Sequence, residues 1–162
     1  MKTPLRVIFL AFLLVSVTVQ AGHINSAAPS EASLRASLAG TSGKDAYQKR
    51  KAAAHQLFDT YCSSGGEKVP VSADLVEAIA RKASNTDEMI AYYLLRTLGS
   101  MGGRGAAALP ILEGGVTATP SPDRFLAGVD VGQPVDIGQT LQLVMTAIRS
   151  DKPMSCDLRK PY

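Results

Sequence analysis

The chain has 162 residues, 46% of them apolar, and carries 17 Lys and Arg against 14 Asp and Glu. That length accommodates one domain of the usual size of about 100–150 residues, and the apolar fraction excludes a chain disordered throughout. Lys2 and Arg6 fall in a leader expected to be removed, leaving 15 basic against 14 acidic residues, too even a balance for binding nucleic acid or anionic membranes by bulk charge.

Residues 1–21 read as a cleaved secretory signal peptide. Met1 to Arg6 is basic, Val7 to Val19 is an apolar run interrupted by Ser16 and Thr18, and Val19-Gln20-Ala21 places small residues at −3 and −1 of a cleavage site. A run of this length suits export and falls short of the roughly 20 residues of a spanning helix, though an uncleaved anchor is the competing reading. No cysteine follows the run, which excludes a lipid anchor there. The expected location is periplasmic or secreted, with cleavage near Ala21/Gly22 and no membrane insertion afterwards. Cys62 and Cys156 both lie in the exported part, where an isolated pair is most simply one disulfide; two unpaired buried thiols are the alternative.

Residues 22–43, rich in Ser, Ala and Gly, form a flexible segment with a short helix possible from about Ser30 to Leu38. A single all-α domain then occupies 44–162. Lys44 to Cys62 is its first helix, with Tyr47, Ala54, Leu57, Phe58 and Tyr61 on one side and Lys49, Arg50 and Lys51 toward water. Ser72 caps the next, whose stripe is Leu75, Val76, Ile79, Ala80 and Ala83. After the break at Ser84-Asn85-Thr86, a helix opened by Asp87 and Glu88 is apolar over so much of its girth, from Met89 to Leu98, that it must pack on more than one side. The short break makes the two an antiparallel hairpin. Gly99 to Gly105 is a stop, Ala106 to Leu112 a third short helix, and 113–134 a long loop rich in Gly, Pro, Thr and Ser. The last helix, about Asp136 to Ser150, buries Ile137, Leu141, Val144, Met145 and Ile148. No segment shows strand alternation, so no sheet is expected.

Leu75-Val76, Ile79-Ala80, Ala91, Leu94-Leu95 and Leu98-Gly99-Ser100-Met101-Gly102, with Ala106 to Leu112 opening a following unit, resemble a HEAT-type helical repeat over about residues 72–112. The resemblance implies a small stack of helical hairpins, an α-solenoid fragment, offering a helical face to proteins or peptides. Where that family usually has Val-Arg at the start of the second helix, this chain has Met89-Ile90.

Chemistry-bearing residues are few. His55, Asp59 and Cys62, at i, i+4 and i+7, share a helix face on which a metal or a histidine-activated thiolate is conceivable, but an ordinary surface pair beside an oxidised cysteine accounts for them. His23 lies in the flexible segment. Glu77 and Glu88 suggest a carboxylate pair, yet the chain lacks tryptophan to line a sugar groove, and solvated glutamates are the default. The glycines from Gly99 to Gly105 follow no strand and precede no lysine, so they make no phosphate loop. Tyr92, Arg96, Arg104 and Arg124 are the candidate partner anchors, by the enrichment of tyrosine and arginine in interface hot spots.

No catalytic residue, cofactor or metal is assigned. The expectation is an exported, non-catalytic protein-binding module, of inhibitor or immunity type, that neutralises a partner such as a toxin or envelope enzyme. A small secreted hydrolase or metal-binding protein built on His55, Asp59 and Cys62, or a structural envelope component, is the alternative.

Overall fold

The computed structural model describes residues 30–39, 46–63, 65–120, 125–126, 129–130 and 135–157. The expected leader at 1–21 and His23 lie outside them, as does Arg124. The described chain is mostly helical and is closed by a Cys62–Cys156 disulfide.

Helix α1 (Glu31–Ala39) buries only Leu34 and Leu38, one i, i+4 stripe. Helix α2 (Ala46–Cys62) buries Ala53, Ala54, Leu57, Phe58 and Tyr61. It stops before Gly65, whose φ of 97° leads into a tight turn at Gly66–Lys68. Gly66 is required by space: a Cβ there would overlap the Tyr61 carbonyl, which is backbone and cannot rotate away. Gly66→Ala is therefore expected to cost about 1–3 kcal/mol, the usual range for overpacking. The check is the urea midpoint at constant m-value; an unchanged midpoint would mean that the turn slides aside freely.

Helix α3 (Ala73–Ala83) starts where the Ser72 hydroxyl accepts the Leu75 N–H at 3.2 Å, with Asp74 in its first turn and Arg81 and Lys82 in its last, as the helix dipole favours. Its predicted stripe, Leu75, Val76, Ile79, Ala80 and Ala83, is fully buried. Helix α4 (Glu88–Met101) is capped by Asp87, whose Oδ1 accepts the Ile90 N–H at 3.2 Å. Every residue from Met89 to Met101 is buried, because α4 packs against α2, α3 and α6 (Ile137–Ser150). Tyr93 lies at this centre, edge-on to Phe58 with ring centroids 5.8 Å apart. Helix α6 begins where Asp136 Oδ1 accepts the Gln139 N–H at 2.8 Å and presents Leu141, Val144, Met145 and Ile148 to α4 and its neighbours.

A central helix surrounded on several sides is a bundle arrangement. A solenoid unit contacts only the units before and after it. The structure thus lends no support to a HEAT-type stack. The helix expected at Ala106 to Leu112 is instead a 3₁₀ run, Gly102–Ala108, followed by the single turn α5 (Leu109–Leu112). Gly102 turns the chain with φ of 55°, and three glycines in that run weaken the case for a continuous α-helix.

The expectation of no sheet is overturned. Strand β1 (Asn85–Asp87), which fills the break between α3 and α4, pairs in parallel with β2 (Thr117–Thr119), Asn85 opposite Thr117 and Asp87 opposite Thr119. Strands β3 (Phe125–Leu126) and β4 (Val129–Asp130) form an antiparallel pair. The 113–134 stretch is therefore not simply a loop. Two- and three-residue strands leave no alternation to read, and their pairing depends on where the helices bring the chain back.

After α6, Asp151 takes a left-handed conformation, with φ of 51°, and the chain runs as a strap over α4. The Met154 N–H donates to the Gly99 carbonyl at 2.9 Å, and the strap reaches α2 through the disulfide. The paired Cα atoms are 5.4 Å apart, within the normal bridging range.

Candidate functional site

Two of the four predicted partner anchors face inward. Arg96 is 2% exposed and Tyr92 7%. The Arg96 guanidinium lies 5.7 Å from the centroid of the Tyr92 ring and donates to the Tyr92 hydroxyl at 3.3 Å. Its Nη2 donates to the strap carbonyls of Ser155 and, at 3.1 Å, of Asp157. Placing these two side chains on a partner-facing surface is therefore corrected. Burial of α4 on all sides leaves the 92/96 pair no face toward water, and the charge is satisfied by backbone carbonyls of the same chain. Arg104, half-buried, donates to the carbonyls of Val69 at 2.9 Å and Gly66 at 3.2 Å, holding the turn after α2. The structure does not gather the four into one anchor, and Arg124 lies outside the described residues.

On α2, His55 Nδ1 pairs with Asp59 Oδ2 at 2.8 Å, both partly open to solvent, and the imidazole stands edge-on to the Tyr93 ring at 5.7 Å. Cys62 is oxidised, so the thiolate arrangement is not available in this state. Among the described residues no group of three potential ligands could hold a metal ion. The His55–Asp59 pair edges a shallow groove of about 460 Å³ that continues past Thr60 and Ser63 to Val69. Glu77 pairs with Arg81 at 3.1 Å, and Glu88 sits in the first turn of α4.

A second concavity, of about 560 Å³, opens between α1 and α3. Arg35, Arg81 and Lys82 line it with Asn85, together with Ala36, Leu38, Ala39 and Ala78. Two contacts join its walls. Glu31 Oε1 accepts the Ser72 N–H at 2.6 Å, and Arg35 Nη1 lies 3.3 Å from Asp74 Oδ2. Sequence reasoning misses this cleft because Arg35 meets the Arg81-Lys82 pair only through the packing of α1 on α3. The adjacent cations at the end of α3 were the visible half of the signal.

Tyr61, beside the turn held by Arg104, donates its hydroxyl to the Pro70 carbonyl at 3.2 Å. Burial raises its phenol pKa above the ordinary 10.0, Glu31 raises it further, and Arg104 opposes both. An unfolded phenol ionises near 10 while the folded one stays protonated, so the unfolded chain binds fewer protons there. Stability is thus expected to fall as pH rises above about 10, toward the raised folded value. Urea midpoints between pH 8 and 11 check this, and Tyr61→Phe should flatten that part of the profile.

No family model matches the chain, nor does any curated protein or solved structure.

Proposed function

We propose that the chain is an exported, non-catalytic module that binds another protein and neutralises it, in the manner of an inhibitor or immunity protein. The observation that carries this reading is the division of its cations. Arg96 and Arg104 are consumed in clamping the chain's own backbone, while Arg35, Arg81 and Lys82 stand around an open, shallow cleft. A pinned core with exposed, only singly paired arginines and Lys82 at the surface suits recognition of a macromolecule, since pre-organisation lowers the ordering cost of binding. A disulfide and the leader-like pattern of residues 1–21 support export, and no helix among the described residues is long and apolar enough to cross a membrane.

The test is capture on immobilised, oxidised residues 22–162 from envelope and culture-supernatant extracts, with captured proteins read by mass spectrometry. A single partner that forms a stoichiometric complex after purification, and loses its own activity in it, is the expected result. No partner from any fraction would overturn the reading. His55→Ala should leave capture unchanged; a hydrolase working through the His55–Asp59 pair would instead lose its turnover.

A further inference from the structure

We propose that the cleft between α1 and α3 is the docking site for an acidic segment of the partner protein, whose carboxylates are taken by Arg35, Arg81 and Lys82. This rests on the protein-binding reading and adds the chemistry of the partner. Three cations line the cleft and no aspartate or glutamate does. Arg35 and Arg81 are well exposed, with 48% and 69% of their side-chain surfaces accessible. Each already holds a carboxylate of its own chain through one guanidinium nitrogen, Arg35 with Asp74 and Arg81 with Glu77. A guanidinium has five N–H donors in a planar fork, so donors remain for a second carboxylate. Exposed pairs of this kind contribute little to stability, so their exchange for an incoming carboxylate meets little resistance. Lys82 adds a charge with no ion-pair partner among the described residues.

The apolar lining favours a peptide. Ala36, Ala39 and Ala78 carry no long side chain and the Leu38 side chain is buried, which lets an extended backbone approach closely. A nucleic acid is held by a basic track that follows its phosphates, and the nearly even charge of the chain works against binding one by bulk charge. Another basic run, Lys49-Arg50-Lys51 on α2, lies outside the cleft and serves as an internal control for charge without shape.

The experiment titrates the oxidised, ¹⁵N-labelled exported chain with three probes: a peptide alternating glutamate and alanine, its lysine-for-glutamate counterpart, and a short oligothymidylate. The glutamate peptide is expected to shift the amides of Arg35, Ala78, Arg81 and Lys82 before those of Lys49 to Lys51. Arg81→Glu with Lys82→Glu should weaken it at least tenfold, and Lys49→Glu with Arg50→Glu less than twofold. Unshifted amides outside the cleft establish that the variants stay folded, and Arg81→Ala with Lys82→Ala gives the same answer without introducing repulsion. Shifts centred on Lys49 to Lys51, tighter binding of the oligonucleotide, or no shift at millimolar peptide would overturn the cleft assignment.

The two proposals fail separately. If a captured, neutralised partner binds the Arg81→Glu, Lys82→Glu chain as tightly as the parent, the cleft assignment falls and the protein-binding reading stands. If nothing is captured while the glutamate peptide titrates the cleft, the protein-binding reading falls and a carboxylate site remains.

Discussion

Reduction of the Cys62–Cys156 bond is expected to lower the stability of the fold by about 4–5 kcal/mol, the loop-closure estimate for a bridge of this span. The paired residues are 94 apart in sequence, and the loop between them contains α3, α4 and α6, which supply much of the core. A loss of that order is a large fraction of the roughly 5–15 kcal/mol that holds a typical domain. Thermal and urea unfolding with and without reductant measure it, and Cys62→Ser with Cys156→Ser should reproduce the reduced state. A reduced chain that melts with the oxidised one would show that the strap is held well enough without its covalent end.

The second large effect is expected at Arg96. Arg96→Met keeps much of the aliphatic volume but removes the donors to Tyr92 and to the carbonyls of Ser155 and Asp157. Hydrogen bonds from a charged group contribute about 1.5–3 kcal/mol each, and relief from burying the charge offsets part of that, so a net loss of about 2–4 kcal/mol is expected. Arg96→Lys should do no better. An ammonium keeps the charge but lacks the planar fork that reaches two carbonyls together. Recovery of stability by lysine would show that charge alone matters at this position. Because Arg96 and the disulfide hold the same strap, the combined loss should fall short of the sum of the two, a coupling that a double-mutant cycle reads directly.

The legible parts of this fold are those in which local chemistry and the tertiary structure agree. Ser72, Asp87 and Asp136 sit as caps before apolar stripes, and α3, α4 and α6 begin where these residues say. The disulfide follows from two cysteines in a chain whose leader-like start predicts export. Arg96 reads as a partner anchor because tyrosine and arginine are enriched in interface hot spots, whereas the structure buries it on a helix whose residues from Met89 to Met101 are all buried. Its carbonyl partners come from a strap with no periodicity of its own, placed over α4 by Cys156 and Met154. The β1–β2 ladder and the α1–α3 cleft share that origin. Each joins residues far apart in the chain, and no local pattern announces which distant segments the core will bring together.

The Cys62–Cys156 bond also decides how the molecule answers mechanical force. Tension applied outside the pair travels from residue 62 through the sulfurs to residue 156 and bypasses everything between. The 94-residue separation corresponds to on the order of 300 Å of contour length, at ~3.3–3.6 Å per residue, that a pulling unfoldase or an optical trap cannot extract until the bond is cut. Among the described helices, α1 and most of α2 lie outside the ring and can be drawn out. A trap experiment would record a short extension under oxidising conditions and a long second one once reductant is added.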